Sequence, residues 1–179
     1  IMTYGIYAKG LSYQEGYPMQ WGKMVGDHPE ILKMSSNKYQ NWETTDPECW
    51  VPHGYAIVRI DSRGAGWSPG IMDPGCAKEI DDLYECIEWA GTQAWSNGKV
   101  GLLGISYYAI NQWFVANLNP PSLKAIMPWE GFADIYRDAL YHGGIFSVFM
   151  SNWVTAHTMH HTLGRAARDL PNAWNVNTM

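Results

Sequence analysis

Residues 101–113, GLLGISYYAINQW, put a serine where chemistry could be done. A strand-forming apolar run ends at Gly104-Ile105 and a helix-forming run begins at Tyr107, which leaves Ser106 at the apex of a sharp turn. A serine hydroxyl is a weak nucleophile at neutral pH and needs both a neighbouring base and a geometry that exposes it. A strand–turn–helix elbow supplies the geometry when small residues flank it. Gly104 stands two positions before Ser106 and Ala109 three after, while Tyr108 breaks the commoner G-x-S-x-G spacing. A helix beginning at Tyr107 would also aim backbone N–H groups and a positive dipole end at the reacting centre. The plainer alternative is that Ser106 only caps the helix, a position serine favours. Its place at the C-terminal end of a parallel strand, where open α/β sheets hold their sites, favours the nucleophile.

Other reactive patterns are weaker. DSRGAGWSPG, residues 61–70, is glycine-rich, but Pro69 stands where G-x-G-x-x-G requires its third glycine. A salt-bridged clamp between Asp61 and Arg63, holding a tight turn after a strand, is the expected role. His157, His160 and His161 have helical spacing, yet zinc would need a third ligand and an ordered outer shell. Surface histidines are expected there, and neither a metal nor a cofactor.

The elements that position Ser106 follow from apolar periodicity. Strands are expected at the opening IMTYG, at 55–61, at 99–104 and at 123–128. Between the second and third, Ile80, Leu83, Tyr84, Ile87 and Ala90 recur at helical spacing, with acidic residues on the opposite face and in the first turns. A second helix follows Ser106 to about Asn117. Alternating strands and helices imply right-handed βαβ units in a parallel sheet. Residues 8–54 read as a long aromatic loop with one short helix near 47–53, packed as the wall of a site. From Asp134 onward the pattern is helical without a matching strand, so the core is placed at 1–132 and the start of a cap at 133–179.

The chain of 179 residues is long enough for one sizeable core, and its 46% hydrophobic and 16% charged content is that of a globular protein. A net charge of −5 with scattered basic residues gives no footprint for nucleic acid or an anionic membrane. No apolar run approaches the ~20 residues of a membrane span. Cys49, Cys76 and Cys86 lack C-x-x-C spacing, and leave open both one disulfide and the compartment. A strand from the first residue and an end, NAWNVNTM, without a closing element read as a piece of a longer chain.

As an ordered set, IYAKG, GYAIVRIDSRGAGWSPG, DDLYECIEWAGTQAWSNGKVGLLGISYYAINQW and LKAIMPWEGFADIYRDALYHGG resemble the CocE/NonD serine hydrolases. That family includes cocaine esterase, glutaryl-7-aminocephalosporanic acid acylases, α-amino acid ester hydrolases and X-prolyl dipeptidyl-peptidases. The resemblance covers most of residues 1–145 apart from the long loop, and implies an α/β-hydrolase fold with helices on both faces of the sheet. The family elbow has its second small residue three positions after the serine, so Tyr108 conforms and Ala109 replaces a glycine.

The resemblance further implies an oxyanion hole made by the Tyr107 N–H and the Tyr7 hydroxyl, the latter in Ile6-Tyr7-Ala8-Lys9, where Ile6 departs from the family's proline. Tyr4 is the competing position if the register slips. Trp153, placed in the cap, is expected to line the acyl pocket. The base and its orienting acid should follow the nucleophile as Asp/Glu and then His. Asp134 or Asp138 with His142 or His157 meets that order, but they fall in the cap, and the pair is expected outside this chain, which alone would be inactive.

The reaction expected is cleavage of a small ester or amide through an acyl-enzyme. An X-prolyl dipeptidyl-peptidase or α-amino acid ester hydrolase is the variant within the family, with Glu15, Asp27, Glu30 and Glu43 as candidates to grip a substrate amine. A catalytically silent binding module is the reading from another class. A homo-oligomer is compatible with the sequence.

Overall fold

The computed structural model describes residues 1–161, the stretch 155–161 by backbone alone. Four parallel strands form the sheet: β1 (Met2–Gly5), β2 (Val58–Asp61), β3 (Val100–Ile105) and β4 (Leu123–Trp129), in the order β2-β1-β3-β4. β1 therefore lies between the strands that follow it in sequence, and every residue of it is buried.

The long loop is more helical than its composition predicts. It contains α1 (Tyr13–Gly16), α2 (Pro18–Asp27), α3 (Ile31–Met34) and α4 (Pro47–Trp50), then a 3-10 turn, Val51–His53. α4 and the 3-10 turn are the short helix expected near 47–53, while the missed start of the segment carries capping signals. Ser12 accepts the Glu15 N–H at 3.2 Å while Pro18 opens α2, and Asp46 accepts the Glu48 N–H at 3.0 Å. Arg59 of β2 pins this segment to the sheet, donating to the carbonyls of Tyr39 and Thr45 at 2.6 Å each and to the Asn41 side chain. Asn41 in turn donates to the Lys9 carbonyl at 2.9 Å and to that of Leu11.

Between β2 and β3 runs α5 (Ala77–Thr92), and between β3 and β4 runs α6 (Tyr107–Asn117). Leu83, Ile87 and Ala90 of α5 and Val115 of α6 meet Met2, Tyr4, Val100 and Leu102 in one core cluster. The strand residues involved are spaced by two, so they share a face of the sheet. Two polar side chains fix α6 on the sheet. Asn111 donates to the Tyr4 carbonyl at 2.6 Å, and Gln112 accepts the Met127 N–H at 2.9 Å.

After β4 comes a π-helical turn, Ile135–Leu140, then a hairpin absent from the sequence-based expectation, β5 (Tyr141–His142) with β6 (Ile145–Phe146). Gly143 and Gly144 have φ of +59° and +86°, which is what a two-residue hairpin turn demands. α7 (Val148–His161) follows, and the remainder of the expected cap lies outside the described residues. Among the described residues no helix is long and apolar enough to cross a membrane.

Candidate active site at the elbow

Met2 pairs with Leu102 in parallel register, so three residues on the ends of β1 and β3 come level, one feeding Tyr7 and the other Ser106. Ser106 has φ +56° and ψ −117°, a region that a residue with a Cβ occupies only under constraint, and its side chain makes no capping hydrogen bond. The plain N-cap reading is therefore not what the geometry shows. The turn is held from both sides, with the Ser106 N–H donating to the Trp129 carbonyl at 2.9 Å and the Ala109 N–H donating to the Ser106 carbonyl at 2.9 Å. The first N–H of α6, that of Tyr107, has no carbonyl of its own helix to bond.

The small residues around the turn are required by contact. A Cβ on Gly104 would overlap the Tyr108 Cβ and lie 3.0 Å from its carbonyl oxygen. Ala109 is fully buried, and a Cβ on Gly131 would come within 2.8 Å of the Ala109 Cβ. Gly131 thus makes the room that the alanine methyl occupies. Gly131→Ala is expected to cost about 1–3 kcal/mol by overpacking, and Ala109→Gly in the same chain to restore most of it. Denaturant unfolding of the four chains of this cycle measures that coupling.

Tyr7 is buried, with its ring edge-on to Tyr108 at 5.3 Å, to Tyr107 at 6.1 Å and to Trp153 at 6.4 Å. Burial pushes its phenol well above the usual tyrosine range and the Glu43 carboxylate adds to this, while hydrogen bonding with Trp153 and Ser106 pulls the other way. Tyr4, the competing position, is buried in the core cluster with Leu83 and Ile87. The Tyr107 side chain is anchored away from the turn, donating to Glu79 at 2.5 Å and accepting the Gly75 N–H at 3.1 Å. Trp153 of α7 stacks on the Tyr107 ring at 5.5 Å. Ser106, Tyr7, Tyr107 and Trp153 are thereby brought together.

A cavity of about 190 Å³ opens beside Ser106, walled chiefly by Ile110, Phe114, Phe132, Phe149 and Trp153. A larger groove of about 430 Å³, bordered by Lys9, Asn41, Val51 and Arg59, does not include the serine.

One expectation is corrected. Asp61 and Arg63 do not pair. Asp61 accepts the Lys9 and Trp67 backbone N–H groups at 2.6 and 2.9 Å and faces the Lys9 ammonium at 3.7 Å, whereas Arg63 forms a two-pronged bridge to Asp82 at 2.7 and 2.8 Å. Both clamp the post-strand turn, to different elements. Of the loop acids, Glu15, Asp27 and Glu30 have local partners in Ser12, Lys23 and His28, which leaves Glu43 apart. Asp134 pairs with Arg137, and His142 contacts the Asp138 carbonyl at 2.5 Å within one exposed segment. The side chains of His157, His160 and His161 lie outside the described residues. Cys49, Cys76 and Cys86 are free thiols. Glu43 is the loop acid near the elbow that composition could not single out, since only tertiary packing encloses its Oε2.

A family model described as X-Pro dipeptidyl-peptidase (S15 family) matches residues 8–179. The chain belongs to the S15 family. Among its relatives, cocaine esterase from Rhodococcus sp. (strain MB1 Bresler) is 35% identical over 130 residues, 68% of this chain and 22% of the esterase. A putative Xaa-Pro dipeptidyl-peptidase from Bacillus cereus is 31% identical over 111 residues, 55% of this chain and 19% of that protein. A CocE/NonD family hydrolase from Staphylococcus aureus, known from a crystal structure, is 37% identical with a TM-score of 0.73, over 97% of this chain and 29% of that one. The S15 chain thus has the α/β-hydrolase fold, and spans about a fifth of the curated relatives it matches.

Proposed function

We propose that this chain carries the nucleophile and oxyanion hole of a serine hydrolase cleaving a carboxylic ester or amide through an acyl-enzyme. The observation that carries this is Ser106 on a constrained elbow, uncapped, with the Tyr7 phenol beside its hydroxyl. In this mechanism Ser106 Oγ attacks the carbonyl carbon while its proton passes to a histidine. The Tyr107 N–H and Tyr7 O–H hold the oxyanion of the tetrahedral intermediate. Its collapse expels the alcohol or amine, which takes the proton from the histidine, and water then releases the acid by the same route.

The phenol suits its role because burial keeps it protonated far into the alkaline range, so it remains a donor. The histidine and its orienting acid belong to the part of the protein beyond this chain, consistent with the fraction of the relatives' length it spans. This chain alone is then expected to be inactive.

The apolar cavity receives the acyl group, the cap beginning near residue 133 supplying one wall. Its about 190 Å³ exceeds the roughly 150 Å³ that holds a benzene ring, so aromatic or branched acyl groups fit. Trp153→Ala in the full-length protein is expected to raise KM for such substrates about tenfold, with a smaller change for acetyl esters. Steady-state kinetics on a series of acyl chain lengths measures this.

The reading as a whole is tested by a fluorophosphonate probe on the full-length protein, followed by peptide mapping. Labelling at Ser106 is expected, and an intact fold that leaves Ser106 unlabelled would favour the silent binding module. The S15 description supports an X-Pro dipeptidyl-peptidase as the second reading. Comparing an aryl ester with an Ala-Pro-anilide as substrates separates the two.

A further inference from the structure

One carboxyl beside the elbow has no task in the mechanism above. Glu43 has φ +58°, and its carbonyl accepts the Ile105 N–H at 3.2 Å, one residue before Ser106. Its neighbour Trp42 packs against the cluster formed by Ile6, Tyr7, Ala65, Tyr107 and Tyr108, and stacks on Tyr17 at 4.2 Å. The backbone of Glu43 is thus fixed to the site, and its Oε2 is enclosed without a hydrogen-bond partner. The titratable groups that feel its charge are Tyr7 after β1, Tyr13 and Tyr17 at the two ends of α1, Tyr108 on α6 and Glu130 after β4. Each of these is neutral or acidic, so an ionised Glu43 meets no counter-charge among them.

We propose that Glu43 is a positioning residue for the oxyanion hole, working in its protonated form, and that its ionisation weakens the Tyr7 donor and slows acyl transfer. This rests on the serine-hydrolase reading. The physical reason is one of sign. An oxyanion hole works by presenting positive potential to a developing negative charge. A carboxylate whose charge reaches Tyr7 opposes that potential in a site where water screens little, whereas a neutral carboxyl leaves it intact.

Burial pushes Glu43 up to about 8, with Glu130 acting in the same direction and the Trp42 side chain pulling back through a hydrogen bond. The change therefore falls in mildly alkaline solution, above the ~6.5 at which an ordinary imidazole base loses its proton. A descending rate there belongs to a different group from the base. The same shift makes folding stability pH-dependent. Between the ordinary carboxyl range and about 8 the folded state holds a proton that the unfolded chain has released, so stability falls as pH rises across that window.

The test follows kcat of the full-length protein on an aryl ester from about pH 6.5 to 9.5. Expected for the unaltered protein is a roughly tenfold fall centred near 8. Glu43→Gln, which mimics the protonated acid, should have a flat profile. Tyr7→Phe should be slower throughout and equally flat, because the donor through which Glu43 acts is gone. A flat profile in the unaltered protein, or a limb that persists in Glu43→Gln, overturns the proposal. If Glu43→Gln does not fold, the unaltered protein against Tyr7→Phe decides, and a limb retained in Tyr7→Phe also overturns it. Fluorophosphonate labelling at pH 7 separates the two levels. No labelling of Ser106 removes the hydrolase reading itself, while labelling with a flat profile removes only the role of Glu43.

Discussion

Ser106→Ala in the full-length protein is expected to lower kcat by four to six orders of magnitude, about the loss seen when a triad nucleophile is removed, and to abolish fluorophosphonate labelling. Its effect on stability should be small, because alanine inherits the same constrained backbone at φ +56°. Ser106→Gly supplies the contrast. Glycine adopts positive φ without steric cost, so this variant should be equally inactive yet more stable by about 1 kcal/mol. Activity assays paired with denaturant unfolding check both halves. A serine that merely capped α6 would give the reverse pattern, with activity retained and stability lost.

Tyr7→Phe is expected to reduce kcat by a factor of roughly 10²–10³, about 3–4 kcal/mol of transition-state stabilisation, with KM nearly unchanged. The ring contacts to Tyr107, Tyr108 and Trp153 survive that substitution, since only the hydroxyl is removed. The split between kcat and KM is the informative readout. A tyrosine that served only to pack would lose little of either, and one that bound the ground state would raise KM instead. Tyr107→Phe should behave differently, because its hydroxyl bonds Glu79 and Gly75 and its contribution to the hole is a backbone N–H. Its cost should appear chiefly in stability.

The two substitutions bear on one arrangement. β1 and β3 are neighbours in the sheet and end at the same level, so the residues just beyond them meet over the C-terminal edge. Tyr7 lies two residues past β1, and Ser106 immediately follows β3. The long segment 8–54 returns Trp42 and Glu43 to that edge from outside the sheet, and α7 lays Trp153 across it.

The parallel sheet and the helices on either side of β3 were legible in the sequence because their signals are local. The serine at the strand–helix junction and the apolar repeat of Ile80, Leu83, Ile87 and Ala90 each act within a few residues. Of the helices inside 8–54, the one near 47–53 was expected, whereas α1 and α3 were missed because four residues are too few for an apolar repeat, and α2 because Gly22 and Gly26 weaken its helix signal. The hairpin at 141–146 was missed because its strands are two residues each.

The sequence by itself determined that Ser106 sits on an elbow flanked by Gly104 and Ala109, since strand, turn and helix preferences are set by neighbours along the chain. Only the tertiary structure decided which tyrosine faces the serine, which partners Asp61 and Arg63 take, how Gly131 accommodates Ala109, and that Glu43 is enclosed. Each of those outcomes depends on desolvation and close packing between segments distant in sequence, and no local periodicity encodes such contacts.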